Sequence, residues 1–391
     1  MGERRDPPIR VESQHGAEVV RVEGPSLLEE LDTPALVVDL DVMDWNIERM
    51  AALARQAGVR LRPHVKTHKS PWIAHRQIRA GAAGITVAKL GEAEVMIEAG
   101  ITDIFVAYPI VGEPKLRRLE RLLNEVDLML AVDSVEAAES VAQAVRRSGR
   151  ATARVCIDVD TGHRRLGLPP GAATVELAER VARIRGLEVV GLMSHAGHLA
   201  AASSQPALAE AARRAAEALV ETAETLRKRR LAIEHVSPGS TTGAAFEAQV
   251  PGVTEIRPGT YVFNDRNTVE RWAASEADCA LTVLTTVVSR PSPDRAIVDA
   301  GSKVLSSDPA AGGAPSFGLI AGRPDLKLER LSEEHGILSV DPAGGELRVG
   351  DRLRVIPNHV CPAVNLSDVL YGCRDGRVVR EIRVAARGRY R

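Results

Sequence analysis

Between about residues 35 and 265, short runs of β-branched and aliphatic residues alternate with longer stretches in which apolar side chains recur every three or four positions. The first spacing suits a buried strand and the second an amphipathic helix, so the pattern predicts parallel strands joined by helices. Nine strands are expected, at 35–40, 59–66, 84–89, 103–109, 128–133, 152–160, 187–195, 235–240 and 255–263. Helix starts are marked by Asp41, by Ser70 with Pro71, and by Ser134 ahead of Ala137 and Ala138; a long helix is expected over 207–230. Gly58, Gly81, Gly100, Gly149 and Gly186 each follow an apolar-periodic stretch, where a residue tolerant of left-handed backbone is wanted. Repeated strand-helix units in this number favour a closed (β/α)8 TIM barrel over an open doubly wound sheet, with one strand in surplus.

After about residue 276 the texture changes. Extended runs are expected at 280–289, 296–299, 336–340, 351–356 and 377–385, with loops at 306–324 and 341–345 and no long helix. The fold class is therefore α/β, in three parts: an N-terminal extension over 1–30 in which only 17–22 reads as extended, a barrel over 31–275, and a C-terminal β-domain over 276–391.

Charge narrows the partners. Lys and Arg number 51 against 52 Asp and Glu, so no positive field gathers nucleic acid or an anionic membrane, and a small-molecule substrate is expected. The four cysteines (Cys156, Cys279, Cys361 and Cys373) stand far apart without a Cys-x-x-Cys pair, which argues for a reducing compartment. With no apolar run of signal-peptide or membrane-spanning length, a cytoplasmic protein is expected.

Candidate chemistry gathers at expected strand ends, the face on which barrels build active sites. Arg62-Pro63-His64-Val65-Lys66-Thr67-His68-Lys69 offers Lys66 as an amine among other cations, which favours its neutral, nucleophilic form; a solvated basic loop is the plainer alternative. Asp158 to Gly167 carries Arg164 and Arg165, either an anion site or a salt-bridged turn. His195 and His198 end the next strand. Gly239, Ser240, Thr241 and Thr242 could surround a phosphate with hydroxyls and backbone N–H groups, although such clusters are usually turns. Arg257 and Tyr261 follow on the last strand. In Pro357-Asn358-His359-Val360-Cys361-Pro362, an extended backbone would aim His359 and Cys361 the same way, as ligands of a soft metal site with open positions; a buried cysteine beside a bonded histidine is the competing reading.

Together these segments resemble the pyridoxal-phosphate-dependent family that contains D-threonine aldolases and eukaryotic-type D-serine dehydratases, with an alanine racemase-like barrel (fold type III). The resemblance runs from about Leu31 to Arg387 and is carried by Arg-Pro-His-x-Lys-Thr-His-Lys at 62–69, Arg-Pro-Gly-Thr-Tyr-Val-Phe at 257–263, Asp-Ala-Gly-Ser-Lys at 299–303 and Pro-Asn-His-x-Cys-Pro at 357–362. It implies that Lys66 is the Schiff-base lysine, that Arg165 contacts the cofactor's phenolic oxygen, and that His195 lies against the pyridine ring. Gly239, Ser240, Thr241 and Thr242 become the phosphate cradle and Arg257 the partner of the pyridine nitrogen, with Tyr261 also at the cofactor. His359 and Cys361 become ligands of a divalent metal, zinc by ligand softness, with manganese, magnesium and cobalt as competitors. It further implies that the strand at 35–40 joins the β-domain and that the chain forms a homodimer.

The implied activity is a metal-assisted lyase reaction on a β-hydroxy-D-amino acid. His-x-Cys resembles the dehydratase branch and favours loss of water to a 2-oxo acid and ammonia; aldolases commonly have aspartate as second ligand and release glycine and an aldehyde. Met193 stands where dehydratases often place tyrosine. Two other readings rank lower. A racemase needs a second proton donor, and none of Tyr108, Tyr261, Tyr371 and Tyr390 lies in a motif for it; a cofactor-carrier protein on this barrel lacks a C-terminal β-domain.

Overall fold

The computed structural model describes residues 10–14, 17–21, 26–311, 313 and 315–391, so parts of the expected extension (1–9, 15–16 and 22–25, including the end of the 17–22 run) lie outside the described residues. The chain divides into two compact units, one of residues 48–66, 73–259 and 388–391 and the other of residues 1–47, 67–72 and 260–387.

In the first unit eight strands follow one another: β1 (Arg60–Leu61), β2 (Ile85–Val87), β3 (Ile104–Val106), β4 (Leu128–Val132), β5 (Ala153–Val159), β6 (Leu187–Ser194), β7 (His235–Ser237) and β8 (Glu255–Ile256). Strands β2 to β7 form one parallel sheet in chain order, and β8 pairs in parallel with β1. The two groups meet through isolated backbone contacts, His64 beside Thr86 and Thr254 N–H donating to Val236 O at 3.0 Å, so ladders do not close the barrel fully. Side chains alternate as a barrel requires. Phe105, Met129, Ala131, Cys156, Val190 and Met193 pack inside, while their neighbours Ile104, Val106, Leu128, Leu130, Val155, Ile157 and Leu192 join the core beneath the helices. Gly191 is required where β6 passes β7, since a Cβ there would stand 2.4 Å from the His235 Cβ.

Several strands are shorter than the apolar pattern suggests, and at three of them proline accounts for it. Pro63, Pro238 and Pro258 follow β1, β7 and β8 within two residues, and a residue without N–H cannot continue a central ladder. Lys66 accordingly sits on the 3-10 turn Val65–Thr67 and not on a strand. Helix ends follow side-chain chemistry: Ser134 Oγ accepts from Ala137 N at 3.2 Å, and Gly149 adopts φ 78 after Ser148. The helix Leu40–Ala57 corrects the expected cap. Asp41 lies inside it, and Asp39 Oδ1 accepts from the backbone of Asp41 and Val42 at 3.0 and 3.1 Å, because the side chain one residue before the helix faces the open N–H groups.

The second unit is built on a ten-stranded sheet. Leu281–Ser292 is its long central strand, pairing antiparallel with Ala35–Asp39, Arg295–Val298 and Arg352–Pro357. Ala35–Asp39 also lies parallel to Val369–Arg374. Three of its strands, Ser26–Leu27, Leu326–Leu331 and Val369–Arg374, have no counterpart in the sequence reading, and Gly318–Ile320 lies inside the expected 306–324 loop. The last pairs only with Arg352–Pro357 in register, a partner that three residues of sequence cannot announce. No helix among the described residues is long and apolar enough to cross a membrane.

Candidate active site

Strand ends of the barrel unit bring together several of the residues singled out by sequence. Arg257, just past β8, is buried and its guanidinium is tied down: Nε donates to Ser237 Oγ at 2.9 Å, and Nη2 donates to the carbonyls of Ser194 and Ser237 at 2.6 and 3.0 Å. Nη1 makes no hydrogen bond among the described residues. Gly239 packs on this guanidinium so closely that a Cβ there would lie 3.2 Å from Arg257 Cζ.

His195 follows β6. Its Nδ1 faces Gly239 O at 2.8 Å, and since a carbonyl only accepts, Nδ1 carries the proton. Burial first, then Lys66 and Arg165, push the His195 pKa down to about 3, so the ring is neutral and Nε2 presents a lone pair. His64 is forced neutral in the same way, by burial and by Lys66, Arg257 and Arg165. His163 meets His195 edge-on with centroids 5.3 Å apart. Arg165 lies on an exposed turn that Asp160 Oδ1 folds by accepting from Gly162 N and Arg164 N, each at 2.9 Å.

The loop 239–242 is held by its neighbours: Ser240 Oγ accepts from Gly243 N at 2.9 Å and Thr241 Oγ1 from Gly259 N at 3.3 Å. The N–H groups of Gly239, Ser240 and Thr242 donate to no acceptor among the described residues. Fixed cations, neutral imidazoles and undonated amides in one neighbourhood fit an organic dianion carrying a second anionic oxygen. Tyr261 is buried on the turn Thr260–Val262, in the second unit.

Sequence reasoning passed over the groups behind Arg257. Arg62 Nε donates to Glu255 Oε2 at 2.8 Å, Arg62 Nη1 to Asp103 Oδ1 at 2.5 Å, and Ser237 Oγ to Glu255 Oε1 at 2.9 Å. Burial alone would raise the Glu255 pKa, but His235 and Arg62 hold it at about 2. A signal was available, since Glu255 and Arg257 stand two apart at the end of one strand and two buried charges demand partners.

The second unit holds His359 and Cys361. The segment is not extended throughout: His359 is the N-cap of the helix Val360–Asn365, and Cys361 lies in that helix's first turn. The helix starts here because buried Asp265 accepts from Val360 N at 3.0 Å. Asn358 anchors the approach through Nδ2, donating to Ser316 O at 2.7 Å and Asp308 O at 3.0 Å. His359 Nδ1 pairs with Asp308 Oδ2 at 2.9 Å, and Thr67 Oγ1 lies 3.2 Å from Cys361 Sγ. Although burial opposes the charge, Cys361, Asp265 and Asp308 raise the His359 pKa to about 10. A carboxylate on one imidazole nitrogen and a thiol facing the ring match the surroundings of a metal-ligating histidine. Among the described residues no group of three or more His, Cys, Asp or Glu is arranged to hold a metal ion, so two protein ligands would leave positions open.

Residues 38–267 match the model of the alanine racemase N-terminal domain, and residues 280–373 match that of a putative serine dehydratase domain. The chain is 36% identical over 363 residues to a D-threonine aldolase of Arthrobacter sp, covering 92% of this chain and 94% of that one. It is 39% identical over 347 residues to D-threo-3-hydroxyaspartate dehydratase of Delftia sp. (strain HT23), covering 85% and 91%. The crystal structure of D-threonine aldolase from Filomicrobium marinum superposes with a TM-score of 0.86 at 34% identity, over 93% of this chain and 98% of that one. A cysteine-to-alanine mutant of D-threo-3-hydroxyaspartate dehydratase in the metal-free form gives 0.82 at 36% identity, over 92% and 98%. The chain therefore belongs to the family of alanine racemase-like barrels with a serine dehydratase domain that includes D-threonine aldolases and D-threo-3-hydroxyaspartate dehydratases.

Proposed function

We propose that this enzyme is a lyase of β-hydroxy-D-amino acids that removes water from a substrate such as D-serine to give a 2-oxo acid and ammonia. It would use pyridoxal phosphate on Lys66 and a divalent cation at His359 and Cys361. The observation that carries the cofactor is the gathering of Lys66, Arg165 and Arg257 around imidazoles held neutral, beside a loop with undonated amides.

When bound, pyridoxal phosphate supplies a ring that accepts the electron pair left on Cα. Lys66 would hold the cofactor through its Nζ, and the same amine, when free, would accept the Cα proton. Gly239, Ser240 and Thr242 offer backbone N–H groups to the phosphate, Thr241 adds its hydroxyl, and Arg165 meets the phenolic oxygen. Arg257, with Nε and Nη2 already donating to Ser237 and Ser194, would offer Nη1 to the ring nitrogen, a pairing that suits an unprotonated acceptor because a guanidinium can only donate. His195, held neutral, would lie against the cofactor ring, and Tyr261 would be a further cofactor contact. His359, oriented by Asp308, and Cys361 would hold the cation, zinc by ligand softness, which supplies Lewis acidity to the β-hydroxyl. A homodimer and a cytoplasmic location go with this reading, and the four free cysteines suit a reducing compartment.

The likeness to D-threonine aldolases supports retro-aldol cleavage as a second reading. Incubating the loaded enzyme with D-serine and D-threonine separates them: 2-oxo acid is expected to dominate, and glycine with aldehyde as the main product reverses the order. His359→Ala is expected to keep the visible absorbance of the bound cofactor while losing bound metal and at least ~100-fold in turnover. Full turnover in that variant would remove the metal from the reaction.

A further inference from the structure

The buried charges behind Arg257 form a line whose donor order is fixed by chemistry. Arg257 Nε can only donate, so Ser237 Oγ must accept from it at 2.9 Å. The one Ser237 hydroxyl proton is then left for Glu255 Oε1, also at 2.9 Å, and Arg62 Nε fills Oε2 at 2.8 Å. Arg62 continues to Asp103, whose carboxylate is half exposed. The register of the two short strands brings the charges together, with Glu255 opposite Arg60 and Ile256 opposite Leu61. Every link from Arg257 to Glu255 is buried, and Glu255 must be an acceptor on both oxygens for the line to hold.

We infer that Ser237 and Glu255 are positioning residues: they fix the plane of the Arg257 guanidinium so that Nη1 stays aimed at the cofactor, with Arg62 holding Glu255 in place. This rests on the reading of Arg257 as the partner of the ring nitrogen. A buried ion pair kept only for folding would share the geometry but would not affect the bound cofactor. Burial without the Ser237 hydroxyl leaves Arg257 Nε without an acceptor, and the guanidinium must tilt or shift to find one.

Ser237→Ala separates the two. The variant keeps Lys66 and the loop 239–242, so pyridoxal phosphate affinity is expected to stay within about threefold of the unmodified enzyme. Its absorbance maximum is expected to move, and kcat to fall by ~10–100-fold with KM changed less than about threefold. Ser237→Thr keeps the hydroxyl and is expected to restore the spectrum and most of kcat. Glu255→Gln retains one acceptor where two are needed and should shift the spectrum in the same direction. An unmoved spectrum and kcat in Ser237→Ala, or a Ser237→Thr variant as impaired as Ser237→Ala, overturns the inference. Failure of the unmodified protein to take up pyridoxal phosphate at all would instead overturn the reading of the site on which it rests.

Discussion

Lys66→Ala is expected to lower kcat/KM by about 10⁴ or more and to abolish the visible absorbance of the bound cofactor, because one amine both bonds to the cofactor and carries the Cα proton. Lys66→Arg should be nearly as inactive, since a guanidinium stays protonated and cannot attack an aldehyde. The neighbouring lysines provide the control. Lys69 is buried with Nζ 3.5 Å from Ala386 O, a structural anchor in the second unit, and Lys89 Nζ rests 3.2 Å from the centroid of the Tyr108 ring. Replacing Lys69 is expected to cost stability while the absorbance band survives. Steady-state kinetics and spectra of the three variants check this, and a Lys66→Ala protein with a few per cent of normal turnover would remove that lysine from the chemistry.

The barrel was readable because burial writes itself into the sequence as alternation. In β3 and β4, Ile104, Phe105, Val106 and Leu128 to Val132 point by turns inward and outward, and all are apolar. Lengths were less readable where proline intervenes: the motif at 62–69 looks like a strand end, yet Pro63 ends the ladder and Lys66 stands on a turn. In the sheet unit the missed strands have weak local signals. Leu326–Leu331 buries only Leu326 and Leu328, and its other positions are Lys327, Glu329, Arg330 and Leu331, so pairing with Gly336–Val340 decides its form.

For the site, residues with unusual chemistry at strand ends were visible, and the barrel places Lys66, Arg165 and Arg257 within electrostatic reach of His195. What stayed hidden was their support. Ser237, Glu255, Arg62 and Asp103 come from four different strands or their ends, and Asp308 is 51 residues from His359 in the chain. A hydrogen bond across such separations leaves no mark in periodicity, only the demand that a buried charge be satisfied. That demand names a residue as interesting but not its partner.

Glu247 makes the demand in its strongest form and leads to the second large effect. It lies on the short helix Ala244–Glu247, fully buried, and neither carboxyl oxygen has a hydrogen-bond partner among the described residues. Burial pushes its pKa up to about 8 from 4.5, with Arg257 only partly opposing the rise. Between those two values the folded chain carries a proton that the unfolded chain has released, so folding takes up a proton and stability falls as pH rises through the window, levelling off above about 8. At roughly 1.4 kcal/mol per pKa unit the contribution is on the order of 3 kcal/mol once relaxation is allowed for. Glu247→Gln has the same shape and cannot ionise. Its stability is expected to match the unmodified protein near pH 5 and to exceed it by several degrees in melting temperature near pH 9, the difference opening mainly between pH 6 and 8. Other titrating groups are common to both proteins and cancel in that difference. Parallel pH dependences would mean that Glu247 is already charged inside the fold, and that something outside the protein's own side chains satisfies it.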